Sequence, residues 1–352
     1  YRVRINYTDS RGKYHSLTRI AHGLEAAKRL EASMQEVEPM SACNITVPEL
    51  IDLYLNEKKY ELRESTLDKN RRTLNRYVRP LNIRISKLNV QNLSEWKKGI
   101  NELDLKPITK KNIFATFRSL LYWAVTKEYI PSNPLNKVGN FRNAYEEKPV
   151  LQFYTPEQYS KYAKSAYKIA SETGFYDFYV FFSIAYFTGA RKGEIHALRW
   201  SDLKDNRIII SKSINQKLPG GDRETPPKNK TSNRSIQIPI PLQEILKEHK
   251  KRGKEYKGFN KRYYICGGIH PLRDSTLSKM NFRIAKEAGL PHIRIHDFRH
   301  SHVSLLANAG VNILEISRRL GHSNIEQTLN TYSHFYPQEE EKALSILNNI
   351  RV

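Results

Sequence analysis

Three stretches in the C-terminal half of the chain carry polar side chains that apolar packing does not require. TGARKGE, residues 188–194, sets Arg191 at a helix start just after Gly189, a residue that permits a tight turn. A guanidinium there can hold a phosphate through two parallel hydrogen bonds. HDFRHSH puts Arg299 three residues and His300 four residues after His296, so one helical face presents all three. LGHSNIEQTLNTYSH ends a helix at Gly321, offers His322 at the next turn and places Tyr332 ten residues later. Guanidiniums and imidazoles are donors for phosphate oxygens, and a phenol can act as a nucleophile. An isolated Arg or His near a helix end is ordinarily a cap or a surface residue. The three stretches carry weight only together.

Composition favours an anionic partner. The chain has 352 residues, with 59 Lys and Arg against 36 Asp and Glu, a formal net charge of +23. That length predicts two or three compact units, and that charge predicts a positive field suited to a polyanion. A membrane is the other polyanion to weigh, but it is not the expected partner, because no lipidation motif is seen and no apolar run reaches the roughly 18 residues a span needs. The longest apolar stretch, Phe178 to Phe187, reads as a buried core helix. Two cysteines, Cys43 and Cys266, form no CxxC pair, so neither a disulfide framework nor a cysteine zinc site is expected, and a reducing, cytoplasmic setting fits. His292, His296 and His300 repeat every four residues, but no carboxylate joins them at HExxH spacing, so no metal is expected.

The elements that must position these groups follow from periodicity. YRVRINYTDSRGKYHSLTRIA alternates bulky and polar residues about a DSRGK turn, which predicts short strands, and GLEAAKRLEASMQEVE reads as one helix. A three-stranded sheet plus helix is expected over residues 1–38. Its Arg2, Arg4 and Lys13 are candidates to line a DNA groove. After a polar linker, four amphipathic patterns predict an all-helical unit over 45–140, with Arg71, Arg72, Arg76, Lys110 and Lys111 on polar faces suited to a duplex backbone. NPLNKVGNFRNAYEEKPVLQF has the composition of an interdomain connection. From residue 151 to 352 a mixed unit is expected. It runs from a capped helix and a buried helix with its Gly turn to strands at NRIIISKS and RSIQIPI separated by a loop, then helices broken at Gly289, Gly310 and Gly321. The fold class is thus mainly α with small β elements, in several domains.

The order and flanking residues of TGARKGEI, HDFRH and LGHSNIEQTLNTYSH resemble the catalytic domain of the tyrosine recombinases, the family of lambda-type phage and transposon integrases. Carried over residue by residue, the resemblance implies that Arg191 and Arg299 clamp the phosphate, His296 and His322 hydrogen-bond to it, and Tyr332 is the nucleophile. The family also uses a hairpin lysine. In PPKNKTSNRSI, counting back from Arg234 favours Lys228, while Lys230 fits a shorter spacing and Asn229 stands where the family often has Thr. Glu194 and His300 resemble supporting positions.

The chemistry agrees with that assignment. Attack on a phosphodiester adds negative charge to the non-bridging oxygens, and two guanidiniums with two imidazoles supply donors there without a metal or other cofactor. A phosphotyrosyl ester keeps the bond energy for rejoining, so no ATP is needed. The 5′ oxygen must leave protonated, a task for Lys228. The resemblance further implies a helical unit that grips core sites, an N-terminal piece that binds arm sites, and a homo-tetramer that works on two double-stranded DNA sites through a Holliday junction. Accessory DNA-bending and excision factors are the further partners it implies. A tail helix in QEEEKALSILNNI is expected to dock in cis or on a neighbouring subunit. An Xer-type resolvase, a type IB topoisomerase and a non-catalytic DNA-binding protein are the competing readings. The N-terminal piece, which the Xer type lacks, and the complete set of catalytic-type residues favour the integrase.

Overall fold

In the computed structural model the described residues are 1–8, 14–21, 23–28, 45–142, 151–218, 221–225, 233–255, 258–322 and 324–333. Lys13, Lys228, Lys230 and the expected tail helix lie outside them. The chain divides into two compact units, Tyr1–Glu147 and Lys148–Val352.

The first unit opens with an antiparallel pair, β1 (Arg2–Thr8) and β2 (Tyr14–Ile20), in which Val3 faces Arg19 and Arg4 faces Thr18. Alternation places Val3 in a small cluster with Ala21 and Ala27 and leaves Arg2 and Arg4 exposed. Among the described residues this sheet has two strands where three were expected. The segment read as two or three short strands is taken up by two strands of seven residues each.

Helices α1 (Val47–Lys58), α2 (Glu64–Tyr77), α3 (Val90–Glu102), α4 (Pro107–Thr126) and the short α5 (Leu135–Val138) follow. Thr46 starts α1 through a capping box: its hydroxyl accepts from Glu49 N, and the Glu49 carboxylate accepts from Thr46 N at 2.7 Å. The apolar stripes close on one core that includes Leu50, Leu74, Phe114 and Phe117, all fully buried. Trp96 stacks edge-on against Phe117 and donates its indole N–H to Tyr77 O at 2.8 Å, so its one polar atom is satisfied.

In the second unit, α6 (Pro156–Thr173) begins with a Thr155–Gln158 capping box and ends at Gly174 in the left-handed region. Helix α7 (Asp177–Thr188) is the apolar stretch read as a core helix, and Gly189, at φ 63°, turns the chain into α8 (Lys192–Ala197). A three-stranded antiparallel sheet joins β3 (Leu203–Lys204), β4 (Arg207–Ile210) and β7 (Arg234–Gln237) in the order given. The intervening segment, expected to be loop, instead contains a ladder of β5 (Ser213–Asn215) with β6 (Arg223–Thr225). Three residues per strand are too few for periodicity to reveal. Helices α9 (Ile240–Lys254), α10 (Asp274–Glu287), α11 (Asp297–Asn308), α12 (Ile313–Leu320) and α13 (Ile325–Tyr332) complete the unit. Gly289, Gly310 and Gly321 stand at the ends of α10, α11 and α12 with φ between 64° and 72°, where the sequence placed the breaks. Among the described residues no helix is long and apolar enough to cross a membrane.

Helix α7 is the hub, packed by α6, α9 and α11. From α11, Phe298 enters that core fully buried, with its ring 5.2 Å from both Tyr162 and Phe182 and 5.7 Å from Tyr154. Phe298 lies between His296 and Arg299, so the aromatic contacts fix the rotation of the helix start that carries both. Phe298→Ala is expected to cost about 3–5 kcal/mol, measured as a lowered denaturant midpoint. A loss below about 1 kcal/mol would mean that the α11 start is held by something other than this ring.

Candidate active site

The C-terminal end of α12 gathers the arginines. Its last carbonyls have no helical partner, and Gly321 ends the helix at φ 64°. Leu320 O accepts from Arg299 Nη2 at 2.8 Å and from Arg191 Nη1 at 3.4 Å, and Arg319 O accepts from Arg234 Nε at 2.6 Å. A helix C-terminus carries partial negative charge, so three guanidiniums converge on it without an added anion. Both glycines are required there. A Cβ at Gly321 would stand 2.9 Å from Arg234 Nη1, and one at Gly189 would stand 2.7 Å from His302 Cδ2.

One carboxylate completes the cluster. Glu194, in the first turn of α8, accepts from Arg191 Nη1 at 3.0 Å and from Arg234 Nη2 at 2.8 Å, and its second bond to Arg234, from Nη1, is 3.2 Å. It is 5% exposed. Burial alone would raise its pKa, but the Arg234 hydrogen bonds and charge, with Arg191, hold the carboxyl below the usual range. Arg234 is the group that reading the sequence passed over, using it only as a landmark for the hairpin lysine. Its signal was position: it begins β7, two residues beyond the segment 226–232 that holds Lys228 and Lys230. Arg234 therefore ties the strand that follows the lysine segment to the carboxylate that orients Arg191.

Arg299 is 3% exposed, and Nη1 donates to Gly189 O at 2.7 Å. Burial, then the charge of Arg191, brings its pKa down to about 9, so the guanidinium stays charged at neutral pH. Arg191 is more open, with its side chain 37% exposed. His322 lies 2.8 Å from Arg299 Nη2 through Nε2 and 2.8 Å from Thr328 Oγ1 through Nδ1. Because Arg299 can only donate, Nε2 accepts, and the ring proton sits on Nδ1 facing Thr328. Burial and then Arg299 push the His322 pKa down to about 4, so the imidazole is neutral. To donate to a phosphate oxygen at Nε2 it must first gain a proton there. His296 immediately precedes α11 with an exposed edge, and its pKa is lowered by the surrounding protein and then by Arg299. His292 lies before the helix and bonds Asn281, so the four-residue histidine repeat is not a single helical face.

Tyr332 ends α13 and is 2% exposed, packed with Val303, Ala307, Ile316 and Leu320. Its Oη is 2.6 Å from His300 Nδ1. Burial raises the phenol to a pKa of about 12, opposed by Arg299. The structure thus brings Arg191, Arg299, His296, His322, Glu194, His300 and Tyr332 into one neighbourhood. The basic candidates at Arg71, Arg72, Arg76, Lys110 and Lys111 belong to the first unit. Arg71 and Arg76 are exposed on α2, Arg72 pairs with Asp68 at 2.5 Å, Lys110 donates to Asn101 O at 2.6 Å, and Lys111 is half-buried on α4. A groove of about 470 Å³ lined by residues including Tyr159, Tyr167 and Phe187 contains none of the site residues.

Asp274 anchors α8 from behind. It bonds His196 Nε2 at 2.9 Å and pairs with Lys192. The His196 hydrogen bond, then that of Lys192, lowers its pKa to about 2 against the cost of burial.

Residues 153–339 match the phage integrase family. The chain is similar to the ICEBs1 integrase of Bacillus subtilis, 26% identical over 340 residues that span 93% of this chain and 89% of the relative. A XerC-like tyrosine recombinase of Caldanaerobacter subterraneus is 33% identical over 191 residues, 48% of each chain. Among solved structures, the Tn1549 transposon integrase in complex with transposon right end DNA aligns with TM-score 0.68 at 22% identity, covering 86% of this chain and 98% of that one. A lambda integrase tetramer bound to a Holliday junction aligns with TM-score 0.57 at 18% identity, covering 91% and 93%.

Two outcomes check this geometry. Arg234→Ala leaves Glu194 buried with half its charge partners and is expected to destabilise the protein by about 3–5 kcal/mol, whereas exposed Arg71→Ala should change stability by less than about 0.5 kcal/mol. The Asp274 pKa is lower folded than unfolded, so its stabilisation is complete above about pH 4 and disappears as pH falls toward 2. The stability gap between wild type and Asp274→Asn should therefore be widest near neutral pH and close toward pH 2 in denaturant titrations.

Proposed function

The chain belongs to the phage integrase family, the tyrosine recombinases, and we propose that it cuts and rejoins double-stranded DNA as the integrase of a mobile element, with Tyr332 as nucleophile. The observation that carries this reading is the convergence of Arg191 and Arg299 on one carbonyl, Leu320 O, with His322 bonded to Arg299. The two guanidiniums are fixed by protein acceptors before any phosphate arrives, so little reorganisation is left for the transition state. Among the described residues, Arg191 Nε and Nη2 have no partner, and its partial exposure makes it the first contact for a phosphate.

The scissile phosphate would take up those free donors and draw Arg299 and His322 toward its non-bridging oxygens. A proton gained by His322 Nε2 would turn that ring from acceptor to donor as negative charge develops. Tyr332 Oη then displaces the 5′ oxygen and leaves a 3′-phosphotyrosyl link, and Lys228 protonates the leaving oxygen. Lys230 is the alternative for that task. Neither a metal nor ATP enters the step, since the ester conserves the bond energy.

Similarity to the ICEBs1 integrase, to a transposon integrase and to a lambda integrase tetramer bound to a Holliday junction supports action as a tetramer on two sites. The helical unit over 45–140, with exposed Arg71 and Arg76, is the proposed core-site binder, and the β1–β2 piece within 1–38, with Arg2 and Arg4, the proposed arm-site binder. Accessory bending and excision factors, and a cytoplasmic place of action, belong to the same reading.

The test is incubation with a labelled, nicked duplex carrying the recombination site that flanks the gene, without added metal. A denaturation-resistant protein–DNA adduct is expected, and Tyr332→Phe should abolish it while leaving DNA binding whose affinity falls with salt. An adduct that survives the substitution would reassign the nucleophile. On a supercoiled plasmid carrying two sites a Holliday junction is expected, and relaxation of supercoils without one would favour a topoisomerase.

A further inference from the structure

His300 has no step in the reading above, yet it is in hydrogen-bond contact with the reacting phenol. It lies in the first turn of α11, 8% exposed, with Nδ1 at 2.6 Å from Tyr332 Oη. Burial, then the neighbouring His296, brings its pKa down to about 4, so the imidazole is neutral and carries one ring proton. With Nδ1 accepting from the phenol, that proton is on Nε2, which faces Asp297 Oδ1 at 3.9 Å. Asp297 is fully buried, and Arg294 fixes its carboxylate through Nε at 3.0 Å and Nη2 at 2.9 Å. Phenol, imidazole and carboxylate therefore stand in the order that a nucleophile, its base and the group favouring the protonated base require.

The nucleophile needs such help. Burial holds the Tyr332 pKa near 12, and at neutral pH only about one phenol in 10⁵ would be ionised unaided. We propose that His300 is the general base of strand cleavage, taking the Tyr332 proton at Nδ1 as Oη attacks phosphorus and returning it when the strand is rejoined. The inference rests on Tyr332 being the nucleophile. As the P–Oη bond forms, the phenolic proton passes to His300. As the P–O5′ bond breaks, the 5′ oxygen takes a proton from the hairpin lysine, so the protein's total charge is unchanged across the step. Rejoining reverses both transfers. The charged and titratable groups facing His300 are His296, Asp297, Arg294 and Arg299 about its own helix start and Tyr332 from α13.

The experiment is single-turnover cleavage, from pH 6 to 9, of the flanking-site duplex carrying a 5′-bridging sulfur at the scissile bond. Sulfur leaves without an acid, so the rate reports activation of the nucleophile. Wild type, His300→Asn, His300→Ala and Tyr332→Phe are compared. Asn keeps an acceptor near the position of Nδ1 but cannot hold the proton. Wild type should vary little with pH. Both His300 variants should be about 10²-fold slower or more at pH 7, with rates rising about tenfold per pH unit, and added imidazole should speed His300→Ala. Wild-type rates in His300→Asn would overturn the proposal and leave His300 as a positioning residue. So would a loss of the same factor at every pH with no imidazole rescue. Tyr332→Phe should give no adduct, and a wild type that gives none would overturn the nucleophile assignment itself. Unchanged duplex binding by His300→Asn verifies that the variant is folded.

Discussion

Three guanidiniums share one helix end, and the site depends on that placement. Like charges at such separations repel, and burial removes the water that would screen them. The C-terminal carbonyls of α12, at Arg319 and Leu320, and the single carboxylate of Glu194 provide the compensation. Because the compensating groups belong to α12 and α8, the arginines are set by helix-end carbonyls and one buried carboxylate rather than by exposed side-chain pairing. The same placement explains two glycines far apart in sequence, since Gly189 supplies a carbonyl to Arg299 and Gly321 leaves room for Arg234.

This arrangement balances the arginine charges within the protein and, on the proposed reading, orders a site for an anion. Arg299 spends its donors on Gly189, Leu320 and His322, and Arg191 keeps part of its fork for an incoming group. His322 is held as an acceptor by the arginine it would later assist, so on the proposed reading binding of a phosphate and protonation of the ring are coupled. The phenol is handled in a parallel way. Tyr332 is sheltered in an apolar cluster and stays protonated, with an imidazole beside it rather than a carboxylate that would add charge. An exposed, ionised tyrosine would be reactive at all times, whereas a buried and neutral one needs the assembled site.

Much of the fold was legible because its signals are local. Capping boxes at Thr46 and Thr155, apolar stripes at helical spacing and glycines at helix ends specify elements within a few residues. The β5–β6 ladder was missed because three-residue strands carry no period, and where a third N-terminal strand was expected the described residues hold two longer ones. For the site, residue types and order pointed to Arg191, His296, Arg299, His322 and Tyr332. Arg234 escaped because a strand arginine reads as an exposed polar residue until its carboxylate partner, forty positions earlier, is brought against it.

By itself the sequence determined which helices form, where they end, that the surface is strongly basic and which side-chain types are available for phosphate chemistry. These follow from backbone propensity, periodicity and charge, which act over short chain distances or over the whole composition. Tertiary structure alone decided which carbonyls receive the arginines, which nitrogen of His322 holds its proton and that His300 meets the Tyr332 hydroxyl. Hydrogen bonds are selective to tenths of an ångström and in direction. Partners separated by tens to more than a hundred residues acquire that geometry only when the core has packed.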